Sequence, residues 1–392
     1  MVRSYFLAAA VAALGLSVVD SAFAQDTVKI GFILPMTGQQ QSTGIQESAG
    51  AKLYMAQHGD TVAGKKIDLI IRDDGAVPDN TKRIAQELIV NDKVTFLAGF
   101  GITPTALAVA PLATEAKVPE IVTAAGTSII TEKSPYIVRT SFTLAQSCVP
   151  MADWAAQNGI KKVVTMISDY GPGIDAEKAF TAEFKKKGGD VLESIRFPLA
   201  NPDFAPFQQR ATDDKPDAIF VFVPSGQGGT FVKQFVERGL DKRGIKIIGP
   251  GDVMDDDQLN GMGDHVIGTV TAHIYSADHD SAVNKAFVAA FEKANNGRRP
   301  NFMAVGAYDG MHLMYAALEK TGGKTDGASL VDAMKGMSWE SPRGPISIDP
   351  QTRDIIQNIY IRKVEKKNGQ LYNVEFATFP AVKDPVKAAE QK

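Results

Sequence analysis

Two doubly wound α/β lobes with parallel sheets, joined by a three-segment hinge, are what this sequence predicts, on three observations. Short apolar strands alternate with helices at the spacing of a parallel sheet from Val28 onward. The series then restarts near Lys162, with Ile195-Arg196 and Pro202-Asp203 repeating Ile71-Arg72 and Pro78-Asp79 at a constant offset of 124 positions. Only two copies occur, so a pair of similar lobes is expected rather than a solenoid. The last third mixes helices with a hairpin, as a chain does that returns to both lobes.

In the first lobe, Val28–Leu34 is a buried strand, followed by the loop 35–43 with three glutamines at its tip. A helix is expected from about Gly44 to His58, then a strand over Lys66–Arg72 with Asp73 and Asp74 at its end. Pro78-Asp79-Asn80 opens the next helix, to about Val90. Strands follow at Thr95–Phe100 and Glu120–Thr123, separated by one helix, and an extended piece at Tyr136–Phe142. The second lobe offers strands at Lys162–Ser168, Val191–Phe197, Ala218–Val223 and Ile245–Ile248. Its helices run from about Ile174 to Lys187, over Phe204–Thr212, and from the glycine-rich loop 224–229 to about Arg238.

Beyond it, Ser281 caps a helix to about Asn295, with Val283, Phe287, Ala290, Phe291 and Ala294 on one face. Further helices are expected over Met303–Lys320 and Ser329–Lys335. Asn358–Glu365 and Leu371–Phe379 alternate around an Asn368-Gly369 pair, a strong hairpin signal. Crossings between lobes fall near 142–145, 275–278 and 345–352. The expected organisation is therefore a signal at 1–24, lobe one from 25–143 plus 277–346, lobe two from 144–276 plus 347–380, and a frayed tail at 381–392.

The ends and the composition narrow the class. Arg3 precedes an apolar run from about Tyr5 to Val19, and Ala22-Phe23-Ala24 has the small-x-small form of a cleavage site. That run is too short for a stop-transfer helix, so a secretory signal cut after Ala24 is expected, and with it export to the periplasm. A net charge of −3 with no basic block argues against a nucleic-acid partner. Cys148 is the single cysteine, so stability must come from the core, which 392 residues at 44% hydrophobic can build. A monomer is expected.

Chemistry concentrates in the stretch from Thr95 to Thr127. Thr103 followed by Pro104 suits the N-cap and first position of a helix, leaving N–H groups pointing above Gly101 and Thr103. Such a helix start attracts a small anion. The neighbouring strand ends in Ala124-Ala125-Gly126-Thr127-Ser128, small residues and hydroxyls at nearly the same height. Two adjacent strand ends of this kind make a cradle for a carboxylate. Across the cleft, Tyr170 ends a strand with a ring and a hydroxyl. Asp252 in Gly249-Pro250-Gly251-Asp252 also sits at a sheet's carboxyl edge, where it could face a ligand's ammonium or simply cap a turn.

Rival motifs are weak. Gly171-Pro172-Gly173-Ile174-Asp175-Ala176 outlines a dinucleotide fingerprint, but Pro172 removes a donor and nicotinamide cofactors are scarce outside the cell, so a nicotinamide-dependent oxidoreductase is disfavoured. Asp255-Asp256-Asp257 lacks the glycine and glutamate of a calcium loop and reads as a helix cap. The five histidines show no zinc spacing, and Ser225 lacks the glycine of a nucleophile elbow. Binding without chemistry, and without a cofactor, is the expectation.

With these residues in place, the chain resembles the leucine/isoleucine/valine-binding family of type I periplasmic solute-binding proteins, which feed ABC transporters. The likeness spans the mature chain and rests on VKIGFILPMTG at the start, YGPG at the second lobe's mouth, GPGD, and the late GPISIDPQTRD segment. It implies two lobes closing on an amino acid and a membrane permease as partner. It implies that Thr103 and Thr127 hold the ligand carboxylate, with Ala125 contributing backbone. Thr43 stands in place of a family tyrosine, and Tyr170 matches another. Asp252, or Gly251 with one residue of slippage, stands for the glutamate that holds the ammonium group. Gln227 or Gly226 replaces a tyrosine, and Phe302 matches a pocket phenylalanine. The lost tyrosines and the shifted acid widen the pocket, so an aromatic or keto-carboxylic acid is the alternative to an amino acid.

Overall fold

The computed structural model describes residues 26–390; the expected signal lies outside the described residues. The first sheet holds β1 (Thr27–Leu34), β2 (Thr61–Val62), β3 (Lys65–Asp73), β4 (Phe96–Gly99), β5 (Glu120–Val122) and β6 (Ile137–Arg139), in the order β2-β3-β1-β4-β5-β6. All its pairings are parallel except β2 with β3. The second sheet holds β7 (Lys162–Ser168), β8 (Asp190–Phe197), β9 (Ala218–Phe222), β10 (Lys246–Pro250) and β11 (Val270–His273). To these it adds β12 (Ser338–Ser341), β13 (Gly344–Ile348), β14 (Ile355–Lys367) and β15 (Gln370–Val382). Its parallel core β11-β10-β9-β7-β8 continues on one side into the antiparallel strands β14, β13 and β12, with β15 also pairing with β14.

The connections are α1 (Gln41–His58), α2 (Pro78–Glu87), α3 (Thr103–Ala116), α4 (Leu144–Gln157), α5 (Gly171–Lys186), α6 (Ala205–Asp213) and α7 (Gly228–Glu237), then α8 (Ala282–Ala294), α9 (Phe302–Lys320), α10 (Gly327–Met334) and α11 (Pro385–Glu390). Strands such as β4 and β9 are apolar and buried throughout, because helices cover both faces of a parallel sheet. On one face of the first sheet, Phe32, Phe96 and Val138 pack with Met311, Met314 and Leu318 of the late helix α9. The chain therefore returns to its first lobe after building the second.

Three crossings join the lobes, and buried arginine ties two of them. Arg343, fully buried, donates to the carbonyls of Ser141 at 3.0 Å and Thr140 at 2.5 Å and pairs with Asp309 at 2.7 Å. A buried guanidinium is tolerated only when its donors are used in this way.

Several expectations need correction. The tail is not frayed: α11 docks with Lys387 only 5% exposed and paired with Asp354 at 2.5 Å. The expected helix from Pro78 to Val90 widens its hydrogen-bond spacing at Leu88, where a π turn runs to Asp92. The run 255–257 is more than a cap, since Asp256 pairs with the buried Arg362 at 3.3 Å. Strands β11 to β13 carried no signal, being four or five residues long and mixed in polarity. Strand β13 is hydrogen-bonded to the second sheet while Trp339 and Ile348 pack on the first lobe's core, as suits a hinge.

Candidate functional site

Each sheet reverses its winding once, between β1 and β4 in the first and between β7 and β9 in the second. Loops at such switch points diverge and leave a crevice at the strands' carboxyl ends. Here the two crevices face each other. Gln40, Thr43, Gly101, Ile102 and Thr103 of the first lobe and Tyr170, Pro172, Phe222, Pro224 and Ser225 of the second enclose one cavity, with Ala124, Ala125, Gly126, Phe142, Leu144, Asp252 and Met303 completing its wall. Its free volume is only about 20 Å³, so the lobes are shut upon it. Contacts across the gap agree: Ser128 N–H donates to Asp175 at 3.0 Å, Gln39 meets Asn201 at 2.5 Å, and Ser42 donates to Asp257 at 3.2 Å.

The floor of the cavity is built by strain and by hydroxyls. Phe100, just after β4, has φ +71°, a left-handed conformation costly for an aromatic residue. Bonds on both sides hold it there: its N–H donates to Ile33 O and its carbonyl accepts from Ala125 N–H, each at 3.0 Å. This turn delivers Gly101 and Thr103 to the cavity. Helix α3 starts at Thr103 itself, with Ile102 at the N-cap, so the Thr103 hydroxyl is released from capping. It lies 2.8 Å from the Thr127 hydroxyl, both side chains being buried. Among the described residues, the N–H groups of Thr103, Gly126 and Thr127 make no hydrogen bond to protein. They remain as donors for an anion at the positive end of α3.

The remaining wall is flat and apolar. Tyr170 stacks over Phe222 with ring centres 6.1 Å apart, and Phe142, Leu144 and Met303 close the sides. Burial pushes the Tyr170 phenol well above its usual value, so it stays protonated as a donor. The one acid on the cavity is Asp252. It is 2% exposed, and its Oδ2 has no partner among the described residues. Burial, with the Asp255 charge adding, pushes its carboxyl up to about 8. Gly251 cannot take its place: a Cβ there would sit 2.1 Å from Arg362 Nη2 and 2.5 Å from the His273 ring.

Six of the nine expected residues therefore line the cavity: Thr43, Gly101, Thr103, Ala125, Tyr170 and Asp252. Three do not. Thr127 lies beside the cavity, its hydroxyl 2.8 Å from that of Thr103 and facing Gly171 of the other lobe. Gln227 caps α7 and donates to Leu199 O at 3.3 Å, because Pro224 and Ser225 occupy the lining ahead of it. Phe302 stacks edge-on against Phe142 at 5.4 Å and His273 at 4.2 Å, one layer behind the wall. Ala125 contributes shape rather than a donor, since its N–H is spent on Phe100 and its carbonyl accepts from Arg139 and Ser141. The apolar lining residues Phe142, Leu144, Phe222 and Met303 went unread, since each looks like ordinary core in sequence.

A second buried acid lies beneath the site. Glu47 on α1 accepts from Thr123 Oγ1 at 2.5 Å, and its other oxygen has no partner among the described residues. Burial, partly opposed by that hydrogen bond, pushes its carboxyl up to about 8. Since the folded chain favours the protonated acid, its contribution to stability is complete below the unfolded value near 4.5 and is lost as pH rises towards 8. Melting temperature should therefore fall between about pH 4.5 and pH 8, and Glu47→Gln should recover roughly 2–4 °C of that fall. Parallel wild-type and variant curves would show that Glu47 is not protonated in the fold.

Comparison with known proteins adds the following. A family model described as periplasmic binding protein matches residues 27–370. The Leu/Ile/Val-binding protein homolog 6 of Brucella melitensis is 46% identical over 373 residues, 94% of this chain and 96% of the relative. Among solved structures, a solute-binding protein of an ABC transporter from Rhodopseudomonas palustris BisB5, in complex with 3,4-dihydroxybenzoic acid, is 71% identical. It covers 93% of this chain and 100% of its own, with a TM-score of 0.91. Another, from Rhodopseudomonas palustris HaA2 in complex with p-hydroxybenzoic acid, is 46% identical, covers the same shares, and has a TM-score of 0.90.

Proposed function

Because the chain belongs to the periplasmic binding protein family, we propose that it is the solute-binding component of an ABC transporter for an aromatic carboxylic acid of the hydroxybenzoate type. One observation carries this reading: a single closed cavity joins the free N–H groups of Thr103 and Gly126 to stacked aromatic walls and one acid with an unpartnered oxygen, Asp252. The donors suit a carboxylate and the walls suit a flat ring. Asp252 suits a ring hydroxyl, which it can meet whether or not it carries a proton. Thr43, Gly101, Ala125 and Tyr170 shape the remaining contacts.

This replaces the amino-acid reading of the sequence. An ammonium group needs an ionised partner, and in the ligand-free site burial pushes the Asp252 carboxyl up to about 8, which favours a neutral partner such as a ring hydroxyl. The ligands named for the two Rhodopseudomonas palustris structures are likewise aromatic acids. The receptor works in the periplasm, after cleavage behind Ala24, and passes its ligand to a membrane permease. Lobe closure excludes water and completes the site, and the ligand shifts the population towards the closed form.

Titration calorimetry with 4-hydroxybenzoate, benzoate and leucine tests this. The benzoates should bind and leucine should not; the reverse would overturn the proposal. Asp252→Asn should keep 4-hydroxybenzoate affinity within roughly threefold, since an amide still bonds a hydroxyl. Asp252→Leu should lose about 5- to 100-fold for 4-hydroxybenzoate and leave benzoate nearly unchanged.

A further inference from the structure

We propose that the C-terminal segment is part of the ligand apparatus: Lys387, through Asp354 and Arg139, aims the peptide groups of the loop 125–128 at the ligand and at the closing lobe. The inference rests on the carboxylate-receptor reading above.

Arg139 lies at the end of β6 and is fully buried. Its guanidinium donates to the carbonyls of Ala125 and Phe142 at 2.8 Å and of Thr127 at 2.6 Å. In a trans peptide the N–H points opposite to the carbonyl. Turning the Ala125 carbonyl towards Arg139 therefore turns the Gly126 N–H away from it, on a residue that lines the cavity. Turning the Thr127 carbonyl the same way turns out the Ser128 N–H, which meets Asp175 of the other lobe at 3.0 Å. One side chain thus directs a donor for the ligand and a latch for the closed state.

Arg139 is itself held by Asp354, whose Oδ1 accepts its Nε at 2.8 Å. The other oxygen of Asp354 takes Thr131 Oγ1 at 3.1 Å and Lys387 Nζ at 2.5 Å. All of these residues are at least nine-tenths buried. An ammonium group in such a place is unfavourable unless fully paired. Its position fixes the Asp354 carboxylate and, through it, the plane of the guanidinium. Lys387 is a positioning residue that never touches the ligand. Lys383 is the control: it belongs to the same segment but pairs with Asp349 at 3.0 Å, away from Arg139, and is half exposed.

The test is calorimetry of the full mature chain with 4-hydroxybenzoate. Lys387→Met, and a chain ending at Asp384, should each weaken binding about three- to thirtyfold. Lys387→Arg should restore it and Lys383→Met should leave it unchanged. In the ligand-free protein, Lys387→Met should move the amide resonances of Gly126 and Ser128, whereas Lys383→Met should not. Thr131→Val removes only a hydroxyl from the same hub and should weaken binding in the same direction, should Lys387→Met fail to fold. Wild-type affinity in the truncated chain and in Thr131→Val, or an equal loss in Lys383→Met, would overturn the inference alone. No binding of 4-hydroxybenzoate by the wild type would overturn the functional reading and this inference with it.

Discussion

Replacing Thr103 and Thr127 together by valine is expected to abolish carboxylate binding while the protein stays folded. The two hydroxyls lie 2.8 Å apart and bond each other, so changing only one would leave a buried partner unsatisfied and would confuse stability with binding. Changing both to an apolar group of the same shape is close to neutral for the fold. A hydrogen bond to a charged group contributes on the order of 1.5–3 kcal/mol, and misdirecting the Thr103 region removes about two of them. The expected loss is therefore roughly a hundredfold or more. Calorimetry together with a thermal melt checks it: an intact melt with unchanged affinity would remove the cradle from the account.

Gly171→Val should weaken binding by a different route, by holding the lobes apart. Gly171 opens α5, and a Cβ there would sit 2.7 Å from Thr127 Oγ1 and 3.4 Å from Thr103 Cγ2. Its backbone is in a conformation open to any residue, so no strain arises within its own lobe. The clash exists only when the lobes meet. Overpacking of this kind costs about 1–3 kcal/mol, which falls on the closed state alone. Affinity should drop roughly 5- to 150-fold with little change in the ligand-free melting temperature. Small-angle scattering at saturating ligand should show a smaller contraction than in the wild type. If Gly171→Val contracts and binds like the wild type, the helix start does not rest on the cradle during closure.

Both predictions concern residues that stood out in the sequence, Gly171 as part of a disfavoured dinucleotide fingerprint and Thr103 and Thr127 as a cradle. Small residues and hydroxyls at the end of an apolar strand are rare enough to notice, and their proximity follows from the strand order of a doubly wound sheet. Residues whose role depends on a distant partner gave no such sign. Arg139 and Asp354 are 215 positions apart, and the tail carrying Lys387 looked like solvated polar chain. Phe302 and Gln227 stand a single layer behind the cavity wall, where Phe142 and Ser225 take their places. A helix start displaced by one residue moved the Thr103 hydroxyl from a capping role to the cavity wall.

What the sequence by itself determined is the local plan. The alternation of strands and helices, the restart at Lys162, and the two donor-rich loops after β4 and β5 are all patterns read within about ten residues, where burial and capping act. The tertiary structure alone decided the make-up of the cavity. It set Asp252 among buried groups that favour its protonated form, faced it with Tyr170, Phe222 and Phe142, and brought the end of the chain against the back of the cradle. Desolvation and packing depend on every neighbour at once, and those neighbours come from both lobes.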